Sequence, residues 1–534
     1  MYKILDRRLH DKEYGKEKYL SNWPMLYILE NGKQAYIGQS TNVADRMQQH
    51  RANAGKAKLG DAHFIYSKEF NQSVTFDYES KLIQLMSADE QYALANGNGG
   101  IADKNYYDKG RYDKKFEKLW RRLQKKKIVK HTIGEIVNSD LFKYSPYKEL
   151  NDSQREAVGE IFESIMTNQQ QPIVVNGMPG SGKTIVAIFL FKMLVDYEDK
   201  NGEQPYRNKK MALVIPQTSL RKTIKKIFKQ TYGLRAKDVI GPSCLVKEKY
   251  DIVLVDEAHR LNQRKAIMGY GAHDANNKKL NLPKEATELD WVLKQVKSPV
   301  LFFDAEQVIG PSSISEKVLR YKIDEVYKGR IIRYHTLTTQ MRVRGGNNYI
   351  EYVRSLLDDS IKHKLTFSEY DFKIVKSFKK FEELLVEKEN KYKLSRMIAG
   401  YAWPWISKKN KSLKDIKIEG IERMWNNKTE NWVNCATAIE EVGCIHSIQG
   451  YDLNYAFVIL GNDIKYNSRD KKIEIDSTNY HDKKRKEKAS EEELLEYIEN
   501  IYYVLMTRGI RGTYLYIVDV ELRKHLSKYI DVIH

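Results

Sequence analysis

Residues 173–184 read IVVNGMPGSGKT, an apolar run that breaks into glycines and closes on a Lys-Thr pair at the spacing GxxxxGKT. Gly177, Gly180 and Gly182 let the backbone curl so that its N–H groups face an anion. Lys183 is placed to reach the outer phosphates of a nucleotide, and the Thr184 hydroxyl to hold a magnesium ion. Residues 185–194 (IVAIFLFKML) continue as an apolar helix whose N-terminus adds partial positive charge. ATP and Mg2+ are therefore the expected cofactors. A second apolar strand, residues 250–259 (YDIVLVDEAH), ends in two carboxylates. Asp256 suits the magnesium water shell, and Glu257 suits orienting an attacking water.

A separate constellation lies near the N-terminus. Residues 25–29 (MLYIL) and 35–38 (AYIG) flank an Asn31-Gly32 turn and read as a hairpin. Residues 39–42 offer helix caps, and 43–51 reads as a helix with Arg46 and His50 four apart on one face. Two hairpin tyrosines, Tyr27 and Tyr36, followed by that arginine and histidine, resemble the GIY-YIG nucleases, although the first motif lacks its leading glycine. Residues 76–83 (FDYESKLI) put Glu79 at the start of an apolar helix, where that family carries its metal-binding glutamate. The resemblance covers about residues 24–101 and implies metal-dependent phosphodiester hydrolysis. In that reading Glu79 holds one Mg2+ and Arg46 clamps the scissile phosphate. A tyrosine takes the proton of the attacking water, with His50 assisting or substituting. Asn96 and Asn98 are both candidates for the family's asparagine, and which tyrosine or histidine acts as base stays open.

Residues 103–131 are basic with interleaved Tyr106, Tyr107, Tyr112, Phe116 and Trp120. They read either as a nucleic-acid track or as a solvated helix with one buried aromatic stripe. Beyond them the chain resembles superfamily 1 helicases, and most closely a bacterial Schlafen-type helicase domain, over about 145–534. Gln154 resembles the adenine-reading Q motif, and residues 211–218 (MALVIPQT) resemble motif Ia. Asp304 and Gln307 resemble motif III, with Gln307 placed to sense the γ-phosphate. Residues 337–342 (LTTQMR) resemble motif IV, with Arg342 as a phosphate-contacting arginine. Residues 443–450 (GCIHSIQG) resemble motif V, in which His446, Ser447 and Gln449 would couple nucleic acid to nucleotide. Residues 502–512 (YYVLMTRGIRG) resemble motif VI, with Arg508 as arginine finger and Arg511 beside it. Residues 396–405 (RMIAGYAWPW) and TRGIRG are the most particular points of likeness.

The expected fold class is α/β: a GIY-YIG module and two RecA-like lobes with parallel sheets. The expected domains are 1–102 (nuclease-like), 103–144 (basic aromatic linker), 145–335 (first lobe) and 336–534 (second lobe, with a mobile charged insertion at 464–492). Residues 1–23 read as a short lead-in. Lys plus Arg number 91 against 71 for Asp plus Glu, a net charge of +20, which points to a polyanionic partner. Three cysteines make no disulfide framework, and no apolar run is long enough for a membrane span, so a reducing, cytoplasmic setting is expected. The expected activity is an ATP-driven helicase, translocase or switch coupled to a metal-dependent endonuclease acting on DNA. Its company of motifs resembles phage-restriction and repair systems, which implies a defence partner protein. Two alternatives stand beside it: an ATP-gated sensor whose nuclease-like module only grips DNA, and an RNA-directed enzyme. Oligomeric state stays open.

Overall fold

The computed structural model describes residues 2–11, 21–100, 105–147, 150–167, 171–206, 208–328, 332–428, 432–448 and 450–534. The chain forms two compact units. One comprises Met1–Asp152, Ile185–Lys209 and Arg221–Val239, and the other Ser153–Thr184, Lys210–Leu220 and Ile240–His534.

The first unit is built on a five-stranded sheet. Its strands are β1 (Lys3–Arg8), β2 (Ser21–Glu30), β3 (Gln34–Asn42), β4 (Asp61–Tyr66) and β5 (Ala93–Leu94), in the order β1-β4-β2-β3-β5. The polar lead-in thus supplies an edge strand, antiparallel to β4. KILDRR shows no alternation because most of its residues stay in water, and Arg8 pairs with Asp61 at 2.9 Å. The β2–β3 hairpin turns at Asn31-Gly32, where Gly32 takes φ +78°, and its register sets Tyr27 opposite Gly38. The period of two splits β2 between two cores. Met25, Tyr27 and Leu29 pack with Val43 and Met47 of α1 (Val43–Ala52). Leu26 and Ile28 pack with Val74, Tyr78 and Leu82 of α2 (Gln72–Met86).

The basic segment joins that second core. Helix α3 (Lys109–Lys125) inserts Phe116, Leu119, Trp120 and Leu123 among the α2 side chains, and Trp120 donates to the His131 carbonyl at 2.9 Å. The described part of 103–144, expected as a linker, closes this core rather than spacing two domains. Residues 103 and 104 lie outside the described residues. Among the described residues no helix is long and apolar enough to cross a membrane.

The second unit carries two six-stranded sheets. The first contains β6 (Ile173–Gly177), β7 (Met211–Val214), β8 (Val239–Ile240), β9 (Tyr250–Val255), β10 (Val296–Phe303) and β11 (Arg333–Leu337), in the order β11-β6-β10-β9-β7-β8. The second draws on β12 (Asp371–Val375), β13 (Ser395–Ala399), β16 (Val442–Cys444), β17 (Leu453–Leu460), β20 (Gly509–Ile517) and β21 (Asp531–Ile533), in the order β16-β13-β17-β20-β12-β21. Two hairpins are added: β14 (Ile416–Ile418) with β15 (Ile421–Arg423), and β18 (Ile464–Asn467) with β19 (Lys472–Ile475). The pairs β6/β10, β9/β10, β13/β17 and β17/β20 run parallel. Every residue of β17 (LNYAFVIL) is buried, as a parallel strand covered on both faces requires. The carboxyl ends of β6, β9 and β10 lie side by side, so the residues that follow them meet in one crevice.

The charged stretch 464–492 is structured. Lys465 pairs with Asp476 at 2.5 Å, and Tyr466 stacks on His525 with ring centroids 4.0 Å apart.

Candidate active sites

The hairpin and α1 bring the first constellation together. The Asn42 side chain caps α1 at Asp45 N, which fixes the face carrying Arg46 and His50. The Tyr27 hydroxyl lies 2.9 Å from His50 Nε2, and Arg46 Nε donates to the same hydroxyl at 3.3 Å. The Tyr36 ring meets His50 edge-on at 5.1 Å, and Lys56 sits 3.7 Å above the Tyr36 centroid. Burial raises Tyr27 well above the ordinary phenol range, so it stands as a neutral hydroxyl. Burial, with Lys56 and Arg46 nearby, holds His50 down to about 3, so the imidazole is neutral as well. A neutral ring nitrogen beside a neutral phenol is a hydrogen-bonded pair rather than an ion pair, along which a proton can move.

Glu79 projects from α2, which Asn71 caps at Val74 N, 2.9 Å away. Burial pushes its carboxyl up to about 7, against the pull of the Gln39 N–H and the Arg46 charge. Among the described residues no cluster of three or more His, Cys, Asp or Glu is set to hold a metal. A cation here would have one protein carboxylate and otherwise water. A carboxylate stripped of solvent, with the Arg46 charge near it, suits that role.

Asn96 is buried and bonds the Ile37 backbone twice, accepting from its N–H at 3.0 Å and donating to its carbonyl at 2.8 Å. It therefore pins the strand that carries Tyr36, whereas the Asn98 side chain accepts from Gly100 N. Gly38 is required by close approach: a Cβ there would lie 2.3 Å from the Tyr27 hydroxyl. Gly38→Ala is expected to push Tyr27 off His50. It should cost about 1–3 kcal/mol of stability and abolish any phosphodiester cleavage while sparing ATP turnover, readable by melting and paired activity assays.

The second constellation forms at the strand ends of the second unit. Gly180 and Gly182 take φ of +85° and +84°, where a side chain would be strained. Lys183 is 4% exposed, and its ammonium donates to the Gly177 carbonyl, to Met178 O at 3.2 Å and to Asp304 Oδ2 at 2.8 Å. Gln307 Nε2 donates to the same carboxylate oxygen at 2.7 Å, and Arg508 Nη2 donates to Gln307 Oε1 at 3.2 Å. An unbroken polar chain thus runs from the glycine loop to the start of β20. The Thr184 hydroxyl donates to Asp256 Oδ2 at 2.8 Å.

Arg342 lies against the glycine loop: a Cβ on Gly180 would be 2.9 Å from Arg342 Cβ, and Met341 N donates to Gly180 O at 2.8 Å. The Arg342 side chain also donates to Asp452. Gln154 donates to Ser181 O at 3.1 Å and braces the loop itself. Glu257 has φ +52°, rare for a residue with a side chain, and its carboxylate lies 3.0 Å from His259 Nε2 and 3.7 Å from Arg260 Nε. Burial works against ionisation of Glu257, but His259 and Arg260 outweigh it and hold the carboxyl low. Burial and the neighbouring Glu257 raise Asp256.

Asp256 Oδ1, Ser181 Oγ, Arg508 Nε and Arg260 Nη2 are buried without a hydrogen-bond partner among the described residues. Burial, with Arg342 beside it, brings the Arg508 guanidinium down to about 9. Unsatisfied donors and clustered cations around a glycine cradle suit nucleotide phosphates, and the free Asp256 oxygen beside Thr184 suits their magnesium.

Some expectations land elsewhere. Arg511 stacks on Tyr392 at 4.8 Å. Gln449 lies outside the described residues. Arg260 was not singled out from the sequence, although its place directly after DEAH was a readable signal. Gln340, whose side chain accepts from Arg342 N and Val343 N and shapes that turn, had none.

Comparison with known families gives the class first. The model of the GIY-YIG catalytic domain matches residues 24–93, so the first unit carries a GIY-YIG domain. The model of the Schlafen group 3 DNA/RNA helicase domain matches residues 170–519, well over half of the chain, and the chain belongs to that family. The uncharacterized protein YPL245W of Saccharomyces cerevisiae is 27% identical over 404 residues, 66% of this chain and 83% of that one. Among solved structures, Mss116p bound to ssRNA and AMP-PNP is 12% identical, with 72% of this chain and 77% of that chain covered and a TM-score of 0.32. Pif1 helicase from Candida albicans is 15% identical with a TM-score of 0.23, over 46% of this chain. The chain spans 55% of the length of that Pif1 chain.

Proposed function

We propose that the protein hydrolyses ATP at the Lys183 loop under the control of nucleic acid, and cleaves phosphodiesters at the Tyr27–His50–Glu79 site. The observation that carries the ATPase reading is the Lys183–Asp304–Gln307–Arg508 chain, which ties a phosphate loop to a buried arginine of the second sheet. ATP phosphates would take the place of Asp304 on Lys183, and Arg508 and Arg342 would meet the charge that develops on the transferred group. Glu257, held ionised by His259 and Arg260, would orient the attacking water. Bound magnesium would supply charge neutralisation beside Thr184 and Asp256.

At the nuclease site Arg46 would hold the scissile phosphate. Tyr27 would take the proton of the attacking water as it gives its own to His50 Nε2, which would end as the imidazolium. DNA is the proposed polymer, and the motor's contacts, by analogy of motif, fall on backbone shared with RNA. A role in phage defence or repair belongs to the same proposal and rests on the pairing of the two domains.

The test is ATP turnover titrated with single-stranded DNA and with RNA. Turnover should rise with nucleic acid and vanish in Glu257→Gln, which should still bind ATP because Lys183 and Asp256 remain. With a net charge of +20, binding should weaken by orders of magnitude between ~50 and ~200 mM salt. A flat salt titration, or turnover by Glu257→Gln at the wild-type rate, would contradict the reading.

A further inference from the structure

The run 482–488 (DKKRKEK) reads as a solvated basic face, yet the Arg485 side chain within it is half-buried, 16% exposed. It sits on a short helix, Lys483–Lys486, that follows the β18–β19 hairpin. Its Nη2 is 2.8 Å from His446 Nε2, and its Nη1 lies 3.4 Å from the Ile309 carbonyl. The side chain is steadied by Asp482 at 3.3 Å and by the Tyr401 ring at 5.7 Å. It lies so close to Gly310 that a Cβ there would be 3.1 Å from Arg485 Cδ and Nε. Burial, with Arg485 and Arg260 nearby, keeps His446 neutral, so the contact is a guanidinium donating to a neutral ring.

Ile309 and Gly310 end the turn that follows β10, and residues of the second sheet's body grip that turn one by one. Tyr503 and Arg354 hold Glu306, at 2.7 and 3.0 Å. Arg508 holds Gln307, Asn500 donates to the Val308 carbonyl at 3.0 Å, and Arg485 meets Ile309. Of these, Arg485 also touches His446, in the segment whose resemblance to helicase motif V implies coupling of nucleic acid to nucleotide. The same turn continues through Gln307 and Asp304 to Lys183. One guanidinium therefore joins His446 to the turn that carries Gln307 of the Lys183 chain.

We propose that Arg485 is a positioning residue that transmits nucleic-acid engagement at the 443–450 segment to the nucleotide site, through Ile309–Gly310. The proposal rests on the ATPase reading above. A fork-shaped side chain is needed, because it must reach a ring nitrogen on one side and a carbonyl on the other. The glycine opposite leaves room for it, since a Cβ at 310 would press on Arg485 at 3.1–3.3 Å and make the fork give by a few tenths of an ångström.

The test uses the full chain with poly(dT) and poly(rU) as probes. Arg485→Gln should lose roughly 5–150-fold of the stimulated kcat, the usual range of a coupling between sites, with basal kcat, the KM for ATP and the melting temperature unchanged. Gly310→Ala should reproduce the loss from the other side. The double variant should be no worse than either single one, because both remove the same contact. A wild-type stimulated rate in Arg485→Gln, a parallel fall of basal and stimulated rates, or losses that multiply in the double variant would each overturn the proposal. Absence of Lys183-dependent hydrolysis in the wild type would instead strike the ATPase reading itself.

Discussion

Lys183→Ala is expected to lower ATP hydrolysis by at least 10²–10³-fold, the scale seen when a principal charge-stabilising donor is removed from an active site. The ammonium is 4% exposed and is the cation that the glycine loop itself presents, so neither water nor a neighbouring lysine can replace it. The structure adds a complication that the motif does not show. Lys183 neutralises Asp304, itself 3% exposed, and truncation leaves that carboxylate buried with Gln307 as its remaining side-chain partner. An uncompensated buried charge costs about 3–5 kcal/mol, so the single variant should also melt early. The double variant Lys183→Ala/Asp304→Asn removes both charges. It should recover the melting temperature and still fail to hydrolyse ATP. Recovery of turnover together with stability would show that Lys183 serves the fold and not the chemistry.

Glu79→Ala should abolish phosphodiester cleavage, by ~10²–10³-fold or more, and leave ATP hydrolysis at its wild-type rate. On the proposed reading Glu79 would be the carboxylate that holds a cation beside the Tyr27–His50–Arg46 cluster, and no group of three or more possible metal ligands stands in reserve among the described residues. Its removal is structurally mild. Burial already disfavours its charge, and among the described residues it makes no ion pair whose loss would strand a partner, because Arg46 bonds Tyr27 and Gln49 instead. Activity should therefore fall without a fall in melting temperature. Cleavage that persists in Glu79→Ala and still requires Mg2+ would remove Glu79 from the site.

Much of this was legible because it is local. GxxxxGKT after an apolar run, Asp256-Glu257 at the end of another, and tyrosines flanking Asn31-Gly32 each state their own context. The buried strands showed as apolar runs because parallel strands covered on both faces need no alternation. Three features were not legible, each because the deciding partner is distant. Asn96 and Asn98 are alike in sequence. Only the pairing with Ile37, 59 positions away, separates them. The α3 stripe announced a helix docked on one face but not that its face completes the nuclease core. Arg485 belongs to a run of lysines with nothing to mark it, and its role depends on His446 and Gly310. β1 failed for a different reason: an edge strand in water has no apolar alternation to read.

The central claim is that one chain carries two catalytic sites, separable in chemistry. It is tested most directly by measuring ATP hydrolysis and nucleic-acid cleavage side by side, with Mg2+ and ATP, for the wild type, Glu79→Ala and Lys183→Ala/Asp304→Asn. The account predicts that Glu79→Ala keeps hydrolysis and loses cleavage, and that the Lys183 variant loses hydrolysis while its cleavage without ATP matches the wild type. Loss of both activities in either correctly folded variant, or cleavage undiminished in Glu79→Ala, would contradict it.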